Sequence, residues 1–266
     1  MKEILLFDRL LDATTVLLLC WVRVRTVFQL LPFFGEGTLP LLARNGLTVS
    51  LSLFLYPMVA AEVAAAGPPQ TFFWFLPYLF KEILLGVLFG FMVSLVFWTV
   101  SGIGFFIDNQ RGASMASVIN PLLGDQASPL GSYMMQVVVT LMFVTGGMTA
   151  LIEGLYASYA LWPVLSFYPN LNITGARFFL EQFDLMMYLI AFLGGPIILF
   201  MFLAEFGLAL VGRFAPQLNV FFLAMPVKSG IAVLVMAFYL FALMAYFDDH
   251  LRAFEFIAPR LDRVLG

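Results

Sequence analysis

Charge is the scarcest commodity in this sequence. Charged residues make up 11% of its 266 positions while 62% are hydrophobic, whereas soluble domains are about one quarter charged. With a mean hydropathy of +1.00, the chain is an integral membrane or membrane-derived protein. Histidine occurs once, as His250. This excludes the two-histidine helix of metalloproteases and any three-histidine zinc site, and it disfavours an intramembrane hydrolase. His250 follows the last apolar run, in FDDHLRAF, where a solvated helix end is expected. The lone cysteine, Cys20, excludes an intramolecular disulfide and reads as a small buried hydrophobe. A glycine-rich phosphate loop ending in Lys-Ser/Thr is absent, so the chain is not itself a nucleotide-driven motor. A net charge of −3 with scattered basic residues supports neither nucleic-acid binding nor an electrostatic hold on anionic lipid. No catalytic set, cofactor site or metal site is expected. The opening MKEILLFDRLLDATTVLLLCW carries Glu3, Asp8 and Asp12 ahead of its apolar run and lacks a small-residue cleavage site, so it reads as retained.

What the chain has is apolar length. A helix needs about 20 residues to cross the hydrocarbon layer, and runs of that order lie at 10–31, 46–66, 83–107, 130–152, 183–211 and 218–247. They predict an all-α, polytopic fold of helical hairpins with about six long helices. Short, broken or surface helices are expected at 71–80, with Trp74, Pro77 and Tyr78, and at 153–168, with Pro163. Outside the runs, Lys2, Arg9, Lys81, Arg177, Arg252, Arg260 and Arg263 fall on one side and Arg44, Arg111 and Arg213 on the other, which favours cytoplasmic termini.

Charges also interrupt the runs: Arg23, Arg25, Glu62, Glu205 and Lys228. Each costs about 2.5 kcal/mol or more near a bilayer centre, so these side chains face protein, water or the interface. Glu62, Glu82, Asp108 and Glu205 are residue types that ion relays use. Plain pairing, Lys81 with Glu82 and Lys228 with Glu205, is the simpler reading. Gly86, Gly90 and Ser94, then Gly102 and Gly104, allow close helix packing, whether within one subunit or between subunits. The 31 Phe and 14 Met suit a large helical contact area.

Two stretches do not behave as simple connections. Residues 102–132, GIGFFIDNQRGASMASVINPLLGDQASPLGS, end an apolar run with Asp108, Gln110 and Arg111 and lose helical periodicity, yet keep Met115, Val118, Ile119 and Leu122. A loop tucked into a protein-lined cavity tolerates such side chains better than an open one. Residues 212–230, GRFAPQLNVFFLAMPVKSG, place Arg213, Pro216, Gln217, Asn219, Pro226 and Lys228 between two apolar runs. Each is awkward against lipid, because a proline removes a backbone donor and a charge or amide demands a partner.

Together, IDNQRGASMASVINP at 107–121 and RFAPQLNVFFLAMPVKSG at 213–230 resemble the SctT/FliR/SpaR family of type III secretion export-gate subunits. Arg111-Gly112 and Asn120-Pro121 are closer to the injectisome branch than to the flagellar one. The resemblance implies a helical hetero-oligomeric gate shared with SctR-type and SctS-type subunits, clasped by an SctU-type switch protein and passing unfolded protein substrates. It implies an SctR-like part at 1–175, an SctS-like hairpin at 176–247 bent at 212–220, and a tail at 248–266. It also implies residence in the bacterial inner membrane, partly raised towards the periplasm.

By the same resemblance, the segment near 107–128 is a plug, with Gly112, Met115, Val118, Ile119, Asn120 and Pro121 as gate residues. Asp108, Gln110, Arg111, Glu205, Arg213, Pro216, Gln217, Asn219, Phe221 and Lys228 are the implied subunit contacts or structural motif. The function so implied is non-enzymatic mechanical gating of protein export. A self-contained secondary transporter for a small solute, with 213–226 as its midplane site, is the competing reading; the N-terminal half holds no counterpart of APQLN, as paired broken helices would require.

Overall fold

The computed structural model describes the chain except for residues 1, 36–37, 67–71, 113–127, 167–172, 216, 218 and 266. Every element among the described residues is helical. The long helices are α1 (Lys2–Leu30), α2 (Leu41–Ala66), α3 (Phe72–Arg111), α4 (Pro129–Val144), α5 (Gly147–Leu161), α6 (Ile173–Phe214) and α7 (Val220–Arg252). A short amphipathic α8 (Ile257–Leu265) follows. Among the described residues, five helical stretches are long and apolar enough to cross a membrane, or six if the bent α4–α5 pair forms one span. An all-α polytopic fold is the direct result of runs that satisfy all their backbone groups internally.

Three boundaries differ from the sequence expectation. The piece at 71–80 belongs to the 40-residue α3, which carries Pro77 inside it without ending. Pro77 is the sixth residue of α3, so the helix continues there without the bond its N–H would have made to the Phe73 carbonyl. The run at 130–152 is two helices meeting at 73°. Gly146, at φ +85°, takes the left-handed conformation that stops α4, and α5 absorbs residues expected to be a broken piece. Lys81 and Arg44, counted as flanking charges, are both buried within helices and carry no topological vote.

The chain divides into two compact units. One comprises residues 1–95, 148–180 and 252–266, the other 96–147 and 181–251. In the first, α1 lies along α2, with Trp21 donating to the Thr48 hydroxyl at 2.9 Å. It also lies against α3 at Gly86 and Gly90, where a Cβ would sit 2.7 Å from Thr26 Cβ and 2.9 Å from Leu30 Cδ1. Ser94 donates to the Leu30 carbonyl at 2.9 Å on the same face. The small-residue stripe therefore serves packing within the subunit. Cys20 is fully buried there, as expected of a small hydrophobe. The helix α8 buries Ile257, Ala258 and Leu261 and turns Arg260 and Arg263 outward.

In the second unit α6 and α7 cover each other incompletely. Phe238 and Phe241 are 82% and 81% exposed, and Phe202, Leu203 and Phe206 are also uncovered. Their apolar surface requires lipid or other subunits around it.

Candidate functional site

Residues flagged in two distant stretches come together in the second unit. The end of α3 brings Asp108 and Arg111 within 2.6 Å, Oδ1 to Nη2, as an (i, i+3) ion pair. The other carboxylate oxygen of Asp108 accepts from the Ser128 hydroxyl at 2.7 Å and the Leu130 N–H at 3.0 Å. Ser128 caps α4 by accepting from the Gly131 N–H at 2.9 Å, and Pro129 occupies the first helical position. The pair Ser128-Pro129 before an apolar run is a start signal that the sequence reading did not use. Close behind it, Gly104 and Gly131 let the two backbones approach so far that a Cβ on Gly104 would overlap Gly131.

Gly112 follows α3 at φ +84°, a conformation open to glycine at little cost. A Cβ there would meet the Met225 side chain at 3.4 Å. The start of the 107–121 stretch thus sits against the 213–230 stretch, one residue before Pro226. Beside this junction, a cavity of ≈ 300 Å³ is lined by Arg111, Leu130, Tyr133, Met236 and neighbouring α7 residues. Met115, Val118, Ile119, Asn120 and Pro121 lie outside the described residues, as does Pro216.

Farther along the α6–α7 hairpin, Lys228 Nζ donates to Glu205 Oε2 at 3.1 Å, the pairing expected from sequence. The lysine is buried and the carboxylate half-exposed. At the bend, Arg213, Gln217, Asn219 and Phe221 are exposed, and Gln110 is half-buried on the last turn of α3. The Asn219 carbonyl accepts the first bond of α7 from Leu223 at 3.2 Å.

The first unit holds a buried polar cluster that sequence reading saw only as isolated charges. Arg23 donates through Nε and Nη2 to both oxygens of Glu82, at 2.6 and 2.9 Å, and through Nη1 to Ser158 at 3.1 Å. Its Nη2 also reaches the Trp162 carbonyl at 2.9 Å, and its guanidinium lies over the Tyr159 ring. Lys81 pairs with Glu82 at 3.0 Å and donates to the carbonyls of Pro163, Val164 and Ser166. Glu62 accepts from the N–H groups of Val164 and Leu165 at 3.1 and 2.7 Å. Irregular backbone at 162–166 is thereby satisfied in apolar surroundings. Arg23 is neutralised within the chain, so it does not need a partner subunit. Glu62, Glu82, Asp108 and Glu205 each close a local set of bonds, which favours pairing over an ion relay. His250 is exposed near the end of α7, its Nδ1 2.9 Å from the Tyr246 carbonyl.

The bacterial export proteins, family 1, match residues 14–254. This chain belongs to that family. It is 42% identical over 225 residues to the Yop proteins translocation protein T of Yersinia pestis, covering 84% of this chain and 85% of the relative. It is 32% identical over 220 residues to the surface presentation of antigens protein SpaR of Salmonella typhimurium, covering 82% and 80%. The flagellar biosynthetic protein FliR of Bacillus subtilis is 27% identical over 230 residues, covering 86% and 87%. The family match runs through both compact units of this export protein, and so includes both the Arg23 cluster and the Asp108 junction.

Proposed function

We infer that this export protein is a core component of a type III secretion export gate, through which unfolded proteins cross the bacterial inner membrane. The family match across residues 14–254, with relatives named for translocation and secretion, carries the reading. It is a multi-pass membrane protein that works in assembly with other parts of the export apparatus. The finer proposal is that its partners are SctR-type and SctS-type subunits and an SctU-type switch protein, and that it gates mechanically without catalysis. The large apolar surface of α6 and α7 suits such a shell of neighbours. We assign an SctR-like role to 1–175 and an SctS-like hairpin to 176–247. The exposure of Arg213, Gln217 and Asn219 disfavours a self-contained transporter, whose site would gather such groups inward.

The plug is assigned to 107–128, with Met115, Val118 and Ile119 as its apolar stopper. Two measurements test these roles. Native mass of the complex in mild detergent should show this chain once among several smaller helical subunits; a monomer or symmetric homo-oligomer would refute the gate assembly. Deleting residues 115–119 should raise ion leakage in the assembled complex, and unchanged leakage would remove the plug assignment.

A further inference from the structure

The cavity beside Arg111 joins a cation to a wholly apolar wall. Arg111 closes the apolar stretch of α3 that runs from Phe75, so its guanidinium sits where hydrocarbon gives way to headgroups. Asp108 engages only Nη2, and Nε is buried with no hydrogen-bond partner. The guanidinium, with five N–H donors, therefore has donors to spare. Of the ion pair, the arginine is the more accessible member, with side-chain exposures of 18% against 5%. The pair thus shows its positive end. From there the cavity of ≈ 300 Å³ passes Leu130 and Tyr133 of α4 and follows α7 from Ala232 to Leu240. At helical rise that wall is about 12 Å long. No charged residue lies between Lys228 and Asp248. Ala232 and Met236 are buried, whereas Val233 and Tyr133 are open to the outside.

We propose that this groove seats one membrane phospholipid, its phosphodiester on Arg111 and one acyl chain along α7 from Ala232 to Leu240. The occupant must be acidic at one end and apolar along the rest, which is the build of a phospholipid. A polar solute would leave its own groups unpaired against the α7 wall. A free phosphate would use Arg111 and nothing else. An apolar side chain from a neighbouring subunit would fill the wall but leave the spare arginine donors unmet in apolar surroundings. Tyr133 lines the same cavity and carries a hydroxyl able to donate to phosphate, in an amphipathic ring of the kind found at membrane interfaces. Arginine binds phosphate through several N–H groups at once, so a single residue can hold one headgroup. The small net charge of the chain is no obstacle, because recognition is local. The site does not depend on the gate reading.

The test uses the full chain together with whatever subunits purify with it, stripped of lipid and reloaded with phosphatidylethanolamine or phosphatidylglycerol bearing a diazirine in one acyl chain. Illumination should label residues 232–240 saturably with either lipid, since both carry the phosphodiester. Unlabelled phospholipid should compete, and diacylglycerol with the same chains but no phosphate should not. Ala237→Trp fills the groove without touching the ion pair and should abolish the saturable labelling. Arg111→Gln should weaken it about tenfold, and Arg111→Lys, which keeps Asp108 paired, by less. Where Arg111→Gln fails to assemble, Arg111→Lys and Ala237→Trp carry the measurement. Equal competition by diacylglycerol overturns recognition of the phosphate. Labelling unchanged in Ala237→Trp overturns the groove as the site. No saturable labelling at 232–240 in the intact complex, as when a neighbouring subunit covers the groove, overturns the proposal altogether. Because labelling is read on this chain's own peptides, an unexpected subunit composition would count against the gate reading and not against the lipid site.

Discussion

Arg23 and Glu82, 59 residues apart in the chain, form a two-point ion pair with no exposure to solvent on either side chain, Nε to Oε2 at 2.6 Å. Removing one member would leave the other charge buried, whereas the intact pair is largely self-compensating. Glu82→Gln and Arg23→Met should each destabilise the protein by about 3–5 kcal/mol. The Arg23→Met/Glu82→Leu double variant should lose less than the sum of the two singles, although Lys81 still forfeits its pairing with Glu82. Denaturation midpoints in detergent would measure all three, and a double variant as unstable as the sum of the singles would contradict the pairing.

Glu62 should prove a backbone clamp. Its two oxygens hold the N–H groups of Val164 and Leu165. Glu62→Ala leaves two donors without their acceptor, at about 1–3 kcal/mol for each that water cannot reach. Hydrogen exchange at Val164 and Leu165 should accelerate while exchange in the middle of α3 stays slow. Equal acceleration in both places would point to a global effect.

Gly104 has room for hydrogen only, because a Cβ would meet the backbone of Gly131. Gly104→Ala should force α3 and α4 apart, costing about 1–3 kcal/mol as overpacking does. Secretion should fall while Gly46→Ala, whose Cβ meets nothing within 4 Å, leaves it unchanged. Normal secretion by Gly104→Ala would show that the close approach is dispensable.

The Glu205–Lys228 pair is asymmetric, with side-chain exposures of 42% and 10%. Glu205→Gln strands a buried cation, whereas Lys228→Met leaves a carboxylate that is itself 42% exposed. Glu205→Gln should therefore lower thermal stability more than Lys228→Met. The reverse order would mean that the environment of Glu205 is the more enclosed one.

Much of the helical plan was legible because a backbone in apolar surroundings must bond to itself. Runs such as 46–66 and 183–211 lie wholly within α2 and α6. Boundaries were harder. Pro77 reads as a breaker yet sits inside α3, and Gly146 reads as one small residue among many yet ends α4 through a positive φ. For the candidate site, Lys228 with Glu205 could be paired in advance, since a hairpin returns its second strand of helix beside the first. Ser128 as the partner of Asp108 was missed because the intervening stretch carries no period from which to count.

By itself, then, the sequence determined a chain too poor in charge for water, its helical runs, and a pair of aberrant stretches that belong to an export family. Those properties depend on composition and local order alone. Only the tertiary structure decided which buried charge meets which. Arg23 finds Glu82 and the 162–166 backbone, Asp108 finds Ser128 and Leu130, and Gly112 meets Met225, because long helices bring residues together at separations that no sequence spacing encodes.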